Sequence, residues 1–96
     1  MVQITATIAP VVAATRNSKR MGITFFNAST GGEIISISKF GPQGLAAGNR
    51  EYVLNPASGL SFLLAFDGPD IQNEWGAYGS ADTAILVVGE TAERSS

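Results

Sequence analysis

The sequence predicts an all-β domain, an antiparallel two-sheet sandwich arranged as a reduced jelly roll or an immunoglobulin-like fold, and three observations predict it. Apolar residues recur at every second position in Val2-Gln3-Ile4-Thr5-Ala6-Thr7-Ile8 and again at Leu60, Phe62, Leu64 and Phe66, the period that sends alternate side chains to opposite faces of a sheet. Short runs of this kind are separated by turns rich in Gly, Pro, Asn and Ser. No internal repeat and no sustained helical period interrupts them.

In chain order, the first strand is Val2 to Ile8, with Val2, Ile4, Ala6 and Ile8 on one face and Gln3, Thr5 and Thr7 on the other. Pro10 removes a backbone donor and ends it. Residues 1–15 therefore read as an N-terminal strand or arm, free to pair with a neighbouring chain instead of its own sheet. Arg16-Asn17-Ser18-Lys19-Arg20 is a polar bridge into Met21–Phe40, which reads as two strands joined through Asn27-Ala28-Ser29-Thr30-Gly31-Gly32 as a hairpin. Met21, Ile23 and Phe25 share a face on its first limb, and Ile35 and Ile37 alternate with Ser36 and Ser38 on its second.

Gly41 to Asn49 holds three glycines and a proline and is expected to be a loop. A short strand at Glu51–Leu54 leads to the turn Asn55-Pro56-Ala57-Ser58-Gly59. Leu60 to Phe66 follows as the strongest core strand. Trp75 to Gly79 is a short aromatic strand, and Ala84-Ile85-Leu86-Val87-Val88 is apolar and β-branched enough to be a buried one. The sandwich domain spans 16–90, and 91–96 is expected to be a flexible C-terminal tail.

Composition narrows the function. The chain has 96 residues, 15% of them charged and 45% apolar, with no cysteine and no histidine. Disulfides, thiolate metal sites and the commonest general base are thereby excluded. Low charge on a small domain without staples points to surface covered by other chains. Residues 1–48 carry a net charge of +3 and residues 49–96 a net charge of −5, which suits contacts between copies better than nucleic acid. No run is long and apolar enough to span a bilayer, and no membrane partner is expected.

Catalysis has little to work with. Serines and threonines lack a histidine partner, and Lys19 and Lys39 sit in no Ser-Lys motif, so the hydroxyls read as turn and strand-face groups. Asp67, Asp70, Glu74 and Asp82 match no calcium-loop spacing and read as solvated turn carboxylates. Gly41, Gly44 and Gly48 are not followed by the lysine of a phosphate loop. Asn27-Ala28-Ser29 fits the glycosylation pattern without a secretion signal beside it. Trp75 and Tyr78, three apart on a strand, point to opposite faces, one to the core and the other to a partner or a sugar ring.

Taken in order, the arginine-containing bridge, the strand ending in Asn27-Ala28-Ser29, the Ile-rich strand, Leu54-Asn55-Pro56, the core strand, Glu74-Trp75-Gly76-Ala77 and the apolar strand closing on Glu90 resemble small virion proteins of tailed bacteriophages. The resemblance covers residues 16–90. Two departures stand out: Ala57 occupies the place of the glycine in the Leu-x-Pro-Gly pattern, and the N-terminal strand is added. The resemblance implies a compact β-sandwich serving as an accessory virion part, a head decoration or cement protein, with no catalytic residue to transfer.

The resulting expectation is a non-enzymatic structural protein, made in the host cytoplasm and placed on the capsid exterior. Its partners would be the major capsid protein and copies of itself, as a homotrimer by analogy with local threefold positions of icosahedral shells. It would need neither cofactor, metal nor nucleic acid. Leu45, Tyr52, Trp75 and Tyr78 are the expected apolar contacts, and Arg16, Lys19 and Arg20 the charged ones. The alternative is a carbohydrate- or receptor-binding module of a phage tail or fibre, using Trp75 or Tyr78.

Overall fold

The computed structural model describes residues 2–46 and 52–92, and its strands form two four-stranded antiparallel sheets. The strands are β1 (Val2–Ala6), β2 (Val11–Ala14), β3 (Arg20–Asn27), β4 (Ile35–Ser38), β5 (Tyr52–Leu54), β6 (Gly59–Leu63), β7 (Trp75–Gly79) and β8 (Ala84–Ala92). One sheet runs β1-β8-β3-β6 and the other β2-β7-β4-β5. The first strand thus pairs with the last, β2 with β7, β3 with β6 and β4 with β5. A single long hairpin folded over on itself yields that order. It is the eight-stranded jelly roll, complete instead of reduced, and it excludes the immunoglobulin-like arrangement.

The core lies between the sheets. β8 contributes Ala84, Leu86 and Val88, β3 contributes Ile23 and Phe25, and β4 contributes Ile35 and Ile37 from the opposite side. Four aromatic rings close one side of the layer: Phe25 and Phe62 from the first sheet meet Trp75 and Tyr52 from the second, with Phe62 stacked on Trp75 at 5.3 Å between centroids. Tilted and stacked pairs of this kind add to the burial of their area.

The expected hairpin of residues 21–40 does not form. β3 and β4 belong to different sheets, and the chain between them crosses the sandwich. Asn27 shows why. Its buried side-chain amide donates to the carbonyls of Glu33 (2.8 Å) and Leu54 (3.0 Å), and its Oδ1 accepts the backbone N–H of Ser29 (3.0 Å). Ser29 Oγ in turn accepts the N–H of Ile85 at 2.8 Å. The turn-forming residues therefore serve backbone groups from both sheets at the crossing.

Three other expectations are corrected. Residues 1–15 are not an arm, because β1 pairs with β8 and β2 with β7 in the chain's own sheets. Leu60–Phe66 is not one core strand: β6 ends at Leu63, Leu64–Asp67 forms a single helical turn (α2), and Phe66 is 83% exposed. Asp67 Oδ2 accepts the N–H of Leu63 at 2.8 Å and Gly68 follows at φ 80°, so a side-chain bond and a glycine stop the strand that the alternation would have continued. Of the expected tail, Thr91 and Ala92 belong to β8, and 93–96 lie outside the described residues.

The expected loop at 41–49 begins instead with a short helix, α1 (Gly41–Ala46). Gly41 at φ 76° swings the chain out of β4, and Pro42 occupies a helix start, where its missing N–H costs nothing. The helix lies against β7, β4 and β2. Gly76 makes this possible: a Cβ there would sit 2.4 Å from the carbonyl carbon of Gly41. The outer face of the second sheet is in this way partly covered by the chain itself, with Ser38 wholly enclosed.

In the turn after β5, Ser58 N–H donates to Asn55 O at 3.0 Å, Pro56 takes the second position, and Ala57 has φ 63°. This is type II geometry, whose third position favours glycine. A left-handed alanine costs roughly 1–2 kcal/mol, of which glycine's greater freedom in the unfolded chain returns part. Ala57→Gly is therefore expected to stabilise the protein by about 0.5–1 kcal/mol. A thermal melt should show a midpoint raised by a few degrees, and a lowered midpoint would refute the strain.

Candidate protein-binding surfaces

The residues expected to make external contacts divide between the inside and the outside of the sandwich. Arg20 and Trp75 are 0% and 1% exposed, Leu45 is buried on α1, and Tyr52 packs against the core. Arg20, Leu45 and Trp75 are corrected from surface contacts to interior groups, whereas Tyr52 is half-buried with its ring against Phe62. Trp75 is also closed to a sugar ring, since its faces meet Phe25 and Phe62 and its indole N–H donates to Ile71 O at 3.0 Å. Tyr78 points the other way, half-buried, opposite Ser36 on the outer side of the second sheet, as the three-residue spacing requires. Arg16 and Lys19 are exposed.

Arg20 turns inward because of a local irregularity. The β3–β8 ladder shifts register between Arg20 and Gly22, and the extra residue, Met21, is left outside with Arg20 inside. Each terminal guanidinium nitrogen then donates twice. Nη1 reaches Ile71 O (2.7 Å) and Asn73 O (3.0 Å), and Nη2 reaches Thr15 O (2.7 Å) and the carboxylate of Glu90. Glu90 lies opposite Ile23 in the ladder, hence on the same core-facing row. An arginine fork held by three carbonyls and a carboxylate is a structural clamp.

The acidic residues are dispersed into separate roles. Asp67 holds the end of β6, Asp70 pairs with Lys39 at 3.4 Å, and Asp82 accepts the N–H of Ile8 at 3.0 Å. Among the described residues, no group of three or more possible metal ligands converges. Arg16 lines a shallow hollow of about 440 Å³ together with Lys39, Phe40, Asn73 and Glu74.

What the sequence reading did not single out is the outer face of the first sheet. In the ladder, residues opposite one another share a face, so the inward rows of β1, β8, β3 and β6 define the outward rows between them. Those outward positions carry no charge. They are Gln3 and the hydroxyl residues Thr5, Thr24, Ser61 and Thr91, three glycines, and the apolar Phe26, Leu63, Ile85 and Val87. Phe26 and Val87 are directly opposed. At the far end of the face, Met21, Leu63, Leu64, Ala65 and Thr91 line a groove of about 340 Å³. Thr24 and Ser61 span the middle, their hydroxyls 3.3 Å apart.

Charge is depleted at the centres of protein–protein interfaces, which makes this uncharged face with apolar groups at both ends a candidate contact surface. The signal was present in the outward positions of the alternating strands. It became readable only when the register showed which four strands lie side by side.

No protein-family model, curated protein or solved structure matches the chain.

Proposed function

We propose that this protein is a structural accessory component of a virion, a decoration or cement protein that lays the outer face of its first sheet against a capsid shell. The observation that carries the reading is the charge-free outward side of β1, β8, β3 and β6, with Phe26 and Val87 at one end and the Met21–Leu63 groove at the other. Burying such a face desolvates no ion. Among the described residues, α1 lies against the outer face of the second sheet, while Phe26 and Leu63 on that of the first stay exposed. The order of motifs shared with small phage virion proteins points in the same direction, and jelly rolls recur among viral capsid domains. They recur among lectins too, so the fold alone does not choose. The choice rests on the face.

Repetition on a shell lets individually weak contacts add up, because many sites are engaged at once. Purified protein mixed with assembled capsids of the virus that encodes it is expected to pellet with them. Phe26→Glu combined with Val87→Lys is expected to reduce the bound fraction at least tenfold, since each charge would be stripped of water at the contact. Capsids that pellet without the protein, or that bind the double variant as well as the parent, would overturn the reading.

A further inference from the structure

We propose that the free edge of β1 is a docking edge for a second copy of this chain, the two β1 strands pairing antiparallel about Ile4 to join two first sheets into one. Among the described residues, no strand lies beyond β1 in its sheet. An open strand edge is a template for another strand, and proteins ordinarily blunt it with charge, proline, a bulge or shortness. The other three edges of this sandwich are blunted in those ways. β2 has four residues and a register shift, β5 has three residues, and β6 runs into the α2 turn with Asp67 bonded to its last N–H. β1 has none of these devices. Its ladder to β8 is unbroken from Val2 to Ala6, and it contains neither charge nor proline.

The sequence of β1 is complementary to itself. Antiparallel pairing centred on Ile4 sets Val2 of one copy opposite Ala6 of the other, Ile4 opposite Ile4, and Gln3 opposite Thr5. Apolar residues thus meet on the core side and polar ones on the outer side. The core side also needs covering there. Val2 sits in the inward row, opposite the buried Val88, yet it is 59% exposed. A hollow of about 370 Å³ opens beneath it, reaching Ala13 and Ala14 on β2 and Glu90 on β8. A strand added beside β1 brings Ala6 and Ile4 of the second copy next to Val2, at the rim of this hollow.

Pairing of this kind is isologous and closes as a two-fold dimer, so a trimer would require a different surface. The inference rests on β1 and does not depend on the virion reading. Sedimentation velocity from micromolar to millimolar protein should show the average mass rising toward twice that of the chain. Gln3→Lys combined with Thr5→Lys sets like charges opposite each other twice across the pair and is expected to hold the protein monomeric. Gln3→Lys combined with Thr5→Glu sets opposite charges there and is expected to restore the dimer. Both positions are exposed, and matching far-ultraviolet circular dichroism checks that each variant folds. A parent that stays monomeric throughout, a dimer indifferent to the double-lysine variant, or a Lys/Glu variant that fails to recover would each overturn the proposal.

Discussion

Replacing Arg20 with alanine is expected to cost about 3–5 kcal/mol of stability, the summed loss of a buried charged donor from three backbone carbonyls and one partly solvated carboxylate. A domain of this length has about 5–15 kcal/mol in total, so the variant should be close to unfolded under mild denaturant. The physical cause is that one guanidinium serves four acceptors. Without it, the carbonyls of Thr15, Ile71 and Asn73 and the carboxylate of Glu90 lose a donor together. Ile71 O would keep the indole N–H of Trp75. Arg20→Lys should recover part of the loss, because an ammonium is a point donor that cannot span the fork. Glu90→Gln should cost less than Arg20→Ala, since its side chain is partly solvated and the amide oxygen can still accept. Urea titrations of the three variants give the ranking. An Arg20→Ala variant within 1 kcal/mol of the parent would show that the clamp contributes little.

The second large effect is expected at Asn27. Asn27→Ala removes two donors and one acceptor from an enclosed site, leaving Glu33 O, Leu54 O and Ser29 N–H without that partner. The expected cost is about 2–4 kcal/mol, from three hydrogen bonds of which the buried ones leave desolvated groups behind. Asn27→Asp should be at least as damaging, since it keeps the acceptor for Ser29 but aims a carboxylate at two carbonyl oxygens. Hydrogen exchange adds a local readout. Ser29 and Ile85 amides should lose protection along with the amides around the Asn55–Ser58 turn, because Ala57 N–H donates to Asn27 O and Asn27 N–H to Ser58 O. Unchanged protection at those amides would refute the role of Asn27 as the tie between sheets.

These two residues change the meaning of the motifs that carry the virion resemblance. Arginine, Asn-x-Ser, Leu-x-Pro, tryptophan and the final glutamate are the parts of this chain that hold the jelly roll together. Arg20 binds Glu90, Asn27 binds Leu54 O and Ser29, and Trp75 shares the Ile71 carbonyl with Arg20. In this chain Arg20, Asn27 and Trp75 are framework residues, and none of them is a surface contact. The proposed contact with a shell falls instead on the strand positions between these residues, where Phe26 and Val87 sit.

Strand identity was largely written in the sequence. The two-residue period marks β1, β4 and β6, the β-branched apolar run marks β8, and Pro56 with its neighbours marks the turn after β5, because side-chain alternation and turn chemistry are local properties. The absence of histidine and cysteine was equally plain, as was the shortage of charge. Local chemistry alone could not say which strand lies beside which. The Asn27–Gly32 segment looks like a hairpin turn until Asn27 is seen bonding across to Leu54, and Arg20 looks like a surface cation until the bulge at Met21 turns it inward. Phe66 continues an alternating pattern that Asp67 and Gly68 cut short. Pairing partners distant in the chain decide the cases of Asn27 and Arg20, since a buried polar group is placed by its acceptors, whereas the strand before Phe66 is stopped by its immediate neighbours. The charge-free face of the first sheet arises in the same way: β1, β8, β3 and β6 are scattered along the chain, and only the rolled hairpin sets their outward residues side by side.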